Sequence, residues 1–167
     1  LEFRRVLFRS IDTNDYNGKK KYFNYGWMIE VNPKTHQAIR KIKNFGRFRH
    51  EDAQPMPDGK TIFISVDDKP SIIFKFVAEQ KNDFSKGQLY AYQQSVDGES
   101  GSWLPLSMEE DSLMNAMDVA LHKGASMFIS TEWMEAVGDK LYISESGSNE
   151  FNFETEMAKG GKPAKHL

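Results

Sequence analysis

GRFRHEDAQPMPDGKTIFISVDD is the sequence of Gly46–Asp68, the stretch on which the predicted fold depends. A second stretch with the same layout, STEWMEAVGDKLYISES, occupies Ser130–Ser146. In each, a glutamate leads into a short segment, a turn that contains glycine, and a strand that ends in acidic or hydroxyl side chains. Glu51 and Glu132 are 81 residues apart. This spacing equals about two units of ~40 residues, and ~40 residues is the length of one β-propeller blade.

The segments around these units also have the composition of strands. Tyr25–Val31 is rich in aromatic and β-branched residues, Asn32–Gln37 has the composition of a turn, and Ala38–Lys43 returns as a partner strand. Strands at intervals of about 8–12 residues are typical of sandwiches, barrels and propellers. Because blades repeat a sequence unit and sandwich strands do not, we predict an all-β fold. It is a partial β-propeller of about three to four blades from a ring of about six.

One segment, near residues 109–123, interrupts the strand pattern. Ser107 and Glu110 have the spacing of a capping box. Gly124 is placed to end a helix. Four apolar side chains between them fall on one helical face: Leu113, Met117, Ala120 and Leu121. We therefore predict one helix inserted near 109–123.

Length and composition limit the possible functions of this 167-residue chain. Residues 1–10 read like the translation of a sequencing adapter, so we predict that they are not native and that 11–167 is a fragment of a single β-propeller domain. The chain has no cysteine and therefore no thiolate metal ligand. Its net charge of −2, with basic residues scattered among acids, predicts no nucleic-acid partner. No apolar run approaches the ~18 residues of a membrane-spanning helix.

Four acidic residues are the candidate metal ligands. On the innermost strands of a propeller, Glu51 and Glu132 would face the central axis two blades apart. A buried carboxylate is costly there unless it binds a cation. Asp67 and Asp68 follow the strand after Glu51 and would add further oxygen ligands. An oxygen-rich site suits calcium, magnesium, manganese or ferric iron rather than zinc or copper.

Each candidate residue also has a structural explanation. Glu51 could pair with Arg47 or Arg49 at a blade edge. His50 could act as a general acid or base if it had a partner, although a single histidine is more often structural. Trp133 is expected to form a pocket wall rather than a platform for nucleobase stacking. The sequence contains no phosphate-binding glycine loop, serine nucleophile elbow or His/Cys metal spacing.

An ordered set of motifs runs through residues 25–146. The set comprises Gly46-Arg47-Phe48-x-His50-Glu51, Asp58-Gly59, Asp67-Asp68, Phe74-Lys75-Phe76-Val77, Gly87-x-Leu89-Tyr90, Trp103-x-Pro105-Leu106, Gly124-Ala125-Ser126 and Glu132-Trp133. In this order the motifs resemble those of the PhoX-type alkaline phosphatases. The resemblance implies a periplasmic or extracellular β-propeller that hydrolyses phosphate monoesters, with diesters as a second substrate class, by means of a central iron and calcium cluster.

The resemblance also implies roles for particular residues. It makes Glu51 and Glu132 metal ligands, and it places Asp67 or Asp68 where a calcium ligand is expected. Arg47 and Trp133 are candidate contacts to a small phosphate-ester substrate. We expect the full-length protein to be a monomer without a transmembrane segment.

The chain departs from the family pattern at Ser130. Active members carry an arginine two residues before the second glutamate, and serine cannot supply that charge to a phosphate. The family's cysteine iron ligand would lie upstream, so this chain alone is expected to be inactive. Two alternatives stay open: a catalytically inactive calcium-binding propeller with a surface-binding role, and a lactonase-like calcium propeller.

Overall fold

The computed structural model describes residues 25–148, 152, 157 and 162–164, and the adapter-like residues 1–10 lie outside them. The elements in chain order are β1 (Met28–Val31), β2 (Ala38–Ile42), a 3₁₀ turn (Lys43–Phe45), β3 (His50–Pro55), β4 (Thr61–Val66), β5 (Phe74–Gln80), β6 (Asp83–Gln94), β7 (Gly101–Pro105), α1 (Glu110–Met114), α2 (Ala116–His122), β8 (Ser126–Met127), β9 (Thr131–Val137), β10 (Lys140–Glu145) and β11 (Lys162–Pro163). Strands dominate, which confirms the all-β prediction. None of the described helices is long and apolar enough to cross a bilayer.

The strands from β3 to β7 form one five-stranded antiparallel meander. Hairpins β1–β2 and β9–β10 are separate two-stranded sheets, and β8 pairs with β11 in parallel. The described residues thus contain one meander and two hairpins, where three to four blades of four strands were expected. The blade number of a whole ring stays a prediction.

The spacing between the two repeated stretches has a different origin from the one predicted. Glu51 lies on β3, which opens the meander, and Glu132 lies on β9, which opens the next hairpin. The expectation that two blades separate them is wrong, because the intervening residues form a single sheet with a fifth strand, followed by the two helices and β8. The two glutamates therefore lie on the first strand of the meander and on the first strand of the β9–β10 hairpin.

One face of the meander forms the hydrophobic core. Side chains of a strand point alternately to its two faces, and the core face presents fully buried residues: Ile62, Ile64, Phe74, Phe76, Leu89 and Ala91. Two aromatic rings from the segment before β3 cover them. Ring centroids are 4.9 Å apart for Phe45 and Phe76, and 4.5 Å apart for Phe48 and Phe74. Burying each such side chain stabilises the fold by roughly 1.5–3 kcal/mol.

Gly46 permits this covering segment to approach the core. Its φ of +82° is unfavourable for residues with a side chain. A Cβ atom at this position would lie 2.8 Å from the Phe48 ring and 2.9 Å from Ala116. The glycine that begins the first repeated stretch is therefore required both by conformation and by space.

The helical insertion is present but consists of two short helices, α1 and α2, separated by Asn115. The predicted capping box is wrong. The N-cap is Glu109, which makes no side-chain capping bond, and the Ser107 hydroxyl instead accepts a hydrogen bond from the Glu109 amide at 3.3 Å. The apolar face was predicted correctly: Leu113, Ala120 and Leu121 are buried, and Met117 packs against the core.

Gly124 ends α2 as predicted. Its φ is +87°, its amide donates to the carbonyl of Leu121, and the next amide, of Ala125, donates to the carbonyl of Ala120. These two bonds form a Schellman motif, which satisfies carbonyls that the helix end would otherwise leave unpaired.

Candidate metal site

The acidic residues singled out in the sequence lie at one edge, where three strands begin or end. His50, at the start of β3, pairs with Val66 at the end of β4. The amide of Ser130, just before β9, donates to the carbonyl of Asp68 at 3.1 Å. The four candidate ligands therefore lie on adjoining segments: Glu51, Asp67, Asp68 and Glu132.

Glu51 lies on a β-bulge. Between His50 and Ala53 the register of β3 shifts against β4, so that Glu51 and Asp52 together face a single residue, Ser65. A bulge of this kind changes the direction of side chains and is common next to functional sites. The Glu51 side chain is half-buried.

Glu132 is held on β9 through both its side chain and its backbone. Its Oε1 accepts a hydrogen bond from the Ser146 hydroxyl at 2.9 Å. Its backbone carbonyl accepts a hydrogen bond from the Ser65 hydroxyl at 2.6 Å. Since Ser146 follows β10 and Ser65 belongs to β4, Glu132 is positioned by two different sheets.

Asp67 and Asp68 each have local partners. Asp67 Oδ2 lies 3.6 Å from Arg49 Nη2, and both side chains are 41% exposed, so this ion pair contributes little to stability. Asp68 Oδ1 accepts a hydrogen bond from the Lys69 amide at 2.9 Å. Arg47 has a structural contact, because its Nε donates to the carbonyl of Tyr25 at 3.0 Å.

His50 is a poor candidate for a general acid. Its ring stacks on Phe48 with 4.1 Å between the centroids. Its Nε2 atom is buried without a hydrogen-bond partner among the described residues. Burial lowers the pKa of His50 to about 4, although the backbone carbonyls of Phe48 and Phe45 partly oppose the shift. The imidazole is therefore neutral at pH 7, and it does not carry the second ring proton that a histidine general acid donates.

Trp133 does not face the same way as Glu132. Successive side chains of a strand point to opposite faces. Trp133, which is 66% exposed, lies with Tyr142 along an open groove of about 630 Å³ on the β9–β10 hairpin. Glu132 is not among the residues that line this groove. The prediction of Trp133 as a wall of the site that contains Glu132 therefore lacks support.

Sequence reasoning missed a set of polar contacts between β9 and the part of the meander that runs from β3 to Ser71, which lies between β4 and β5. We call Asp52, Ser65, Ser71 and Thr131 the polar seam. Asp52 Oδ2 accepts a hydrogen bond from the Met134 amide at 2.8 Å. The Thr131 hydroxyl bonds to the amide and the carbonyl of Val66, each at 3.2 Å, and to the hydroxyl of Ser71. The available signal was the presence of hydroxyl residues inside buried, otherwise apolar segments.

The donor chemistry of this edge fits a hard cation only in part. Carboxylate oxygens are the ligands that calcium and magnesium prefer. Over residues 25–148 and the few later ones that are described, no group of three His, Asp or Glu side chains is placed to hold a metal ion. The edge can therefore supply a share of a coordination shell, and the remaining ligands would have to come from elsewhere.

These features define a class: an all-β protein in which successive sheets meet at an edge that carries carboxylates. Residues 4–165 match the model of the family described as alkaline phosphatase PhoX, and the chain belongs to this family. The resemblance seen in the sequence motifs is thereby confirmed, and the match begins within residues 1–10.

A solved relative shows the same fold. The structure of Pseudomonas fluorescens PhoX in complex with vanadate, a transition state analogue, matches with a TM-score of 0.62 and 23% sequence identity. The likeness covers 71% of this chain and 27% of that chain. The chain thus spans about a quarter of the length of this relative. A comparison with curated proteins gave no match.

Proposed function

We propose that the intact gene product containing this chain is a metal-dependent phosphoesterase that hydrolyses phosphate monoesters. Its fold would be a β-propeller of about six blades with iron and calcium at the centre, and it would act as a monomer in the periplasm or outside the cell. Membership of the PhoX family supports the phosphatase activity. The single structural observation that carries the proposal is that Glu51 and Glu132 lie on strands of different sheets that pack directly against each other.

The residues of this chain would hold and orient part of the metal centre. Glu51 and Glu132 would supply carboxylate ligands, with Asp68 or Asp67 as a further ligand. The Ser146 hydroxyl, which donates to Glu132 Oε1, would fix the direction of that carboxylate and leave its second oxygen for a cation. Metal ions held by these carboxylates would supply positive charge to phosphate oxygens and would activate water as a nucleophile.

Ser130 favours a second candidate function, a calcium-binding propeller without catalysis. Its side chain is only 4% exposed and its φ is +53°. Its amide donates to Asp68 and its carbonyl accepts from the amide of Ser146. A small, neutral and buried side chain two residues before Glu132 cannot make a charged contact with phosphate.

Turnover of an aryl phosphate by the intact gene product, loaded with iron and calcium, tests the first function. We expect turnover that a chelator abolishes, and a loss of at least about 100-fold in kcat/KM for Glu51→Gln and Glu132→Gln. Glu99→Gln, in the exposed turn before β7, is the matched control and should retain activity. Metal-independent turnover, or full activity in both test variants, would refute the proposal. Calcium-dependent thermal stabilisation without turnover would instead support the second function.

A further inference from the structure

We propose that Asp52 is a positioning residue for the metal site: its carboxylate fixes the strand of Glu132 against the strand of Glu51. This inference rests on the proposed function, because it names the device that sets the separation of the two glutamates. As a positioning residue, Asp52 would contact neither the substrate nor the metal. Its effect would be transmitted through the backbone of β9.

The need for such a device follows from the sheet topology. In the described part of the chain, β3 pairs with β4 and β9 pairs with β10, so no backbone ladder joins β3 to β9. The backbone bond from the Ser130 amide to the Asp68 carbonyl joins the start of β9 to the segment after β4, and not to β3. The side-chain hydrogen bond of Asp52 is therefore a direct contact between the strand of Glu51 and the strand of Glu132.

The hydrogen bonds of Asp52 and Ser65 reach two backbone groups of β9 directly after Glu132, its own carbonyl and the amide of Met134. The Ser65 hydroxyl donates to the carbonyl of Glu132 at 2.6 Å, and Asp52 Oδ2 accepts from the amide of Met134 at 2.8 Å. Ser65 also accepts from the amide of Asp52 at 3.0 Å, so one hydroxyl connects both strands. Because Asp52 directly follows Glu51, each glutamate adjoins a backbone group that is fixed to the other strand.

The chemistry of the contact requires a carboxylate. Asp52 Oδ1 accepts from the amide of Ala53, and Oδ2 accepts from the amide of Met134, each at 2.8 Å. An ionised aspartate has acceptors on both oxygens, whereas asparagine has one acceptor and one donor. Asp52→Asn would therefore place an NH₂ group against a backbone N–H and break one of the two bonds with almost no change in volume.

Calcium titration of the intact gene product provides the test, by calorimetry with calcium alone and by thermal unfolding with and without calcium. We expect Asp52→Asn to weaken calcium binding about 10-fold or more, the range seen for residues that orient metal ligands. Asp58→Asn is the matched control. Asp58 accepts hydrogen bonds from the amides of Lys60 and Thr61 within its own turn, at 2.8 Å each, and has no bond to β9. It should leave calcium affinity unchanged to within about twofold.

The outcomes separate this inference from the function on which it rests. If wild type binds calcium and Asp52→Asn binds it equally well, the positioning role is refuted and the proposed function stands. If wild type binds no calcium, the proposed function fails and the role of Asp52 fails with it. Should Asp52→Asn not fold, Ser65→Ala removes the hydroxyl that bonds to both strands, and it should weaken calcium binding in the same direction. Unchanged affinity in that variant would also refute the inference.

Discussion

Acidification should remove a measurable part of the stability of this protein through His50. The folded pKa of His50, lowered to about 4 by burial, lies below its ordinary value of 6.5. Folding therefore favours the neutral ring. The resulting stabilisation is fully present above pH 6.5 and is lost as the pH falls through 6.5 towards 4.

The size of the effect follows from the difference between these pKa values. Each pKa unit corresponds to about 1.4 kcal/mol, so His50 accounts for a loss of about 2 kcal/mol by pH 5 and about 3 kcal/mol by pH 4. These figures are upper bounds, because the residue as a whole is partly exposed although its Nε2 is buried.

Urea unfolding of wild type and His50→Phe between pH 7 and pH 4 measures this contribution. Phenylalanine keeps the stacking on Phe48 and leaves no unpaired Nε2, so the variant should lack this portion of the pH dependence. The free energy difference between the two proteins should shift by up to about 3 kcal/mol over the range. Parallel loss of stability in wild type and His50→Phe would refute the reasoning.

Three further substitutions test the fold by urea unfolding at pH 7. Phe74→Ala, which removes a fully buried ring, should cost about 3–5 kcal/mol, and a cost below about 1 kcal/mol would contradict the described core. Gly46→Ala should cost at least about 1–2 kcal/mol because of its positive φ and the contacts its Cβ would make with Phe48 and Ala116; an unchanged midpoint would contradict the described backbone. Ser130→Gly should stabilise the protein by up to about 1 kcal/mol, since glycine adopts the +53° φ without steric cost, and a loss of stability would show that the serine side chain is needed.

Local signals in the sequence predicted local structure well. The turn at Asn32–Gln37 and the partner strand after it were both found, because the Asn32 side chain accepts hydrogen bonds from the amides of Lys34 and Thr35. Gly124 was found because a helix end needs a residue that tolerates positive φ. Each of these features is decided by residues that are close together in sequence.

Non-local features were missed or misjudged for physical reasons. The spacing of Glu51 and Glu132 predicts two blades, because a sequence interval does not reveal that strand β7, the helices and β8 fill part of it. The contact between Asp52 and Met134 joins residues 82 positions apart. The amino-acid sequence predicts neither the β-bulge in β3 that contains Asp52 nor the backbone amide that Asp52 binds. The sequence therefore identified the acidic residues at the edge. The hydrogen bonds that connect β3 and β4 to β9 became apparent only from the packing of the two sheets.

The open face of the β9–β10 hairpin has a practical consequence for handling this chain. Trp133, Val137 and Tyr142 are each more than half exposed on that hairpin. Within the described residues, β10 has β9 as its one strand partner, so its other edge presents backbone donors and acceptors. An exposed strand edge beside aromatic side chains is a template for pairing between molecules. Concentrated samples of this chain should therefore self-associate through β10, and a lysine in place of Tyr142 should raise the concentration at which light scattering first increases.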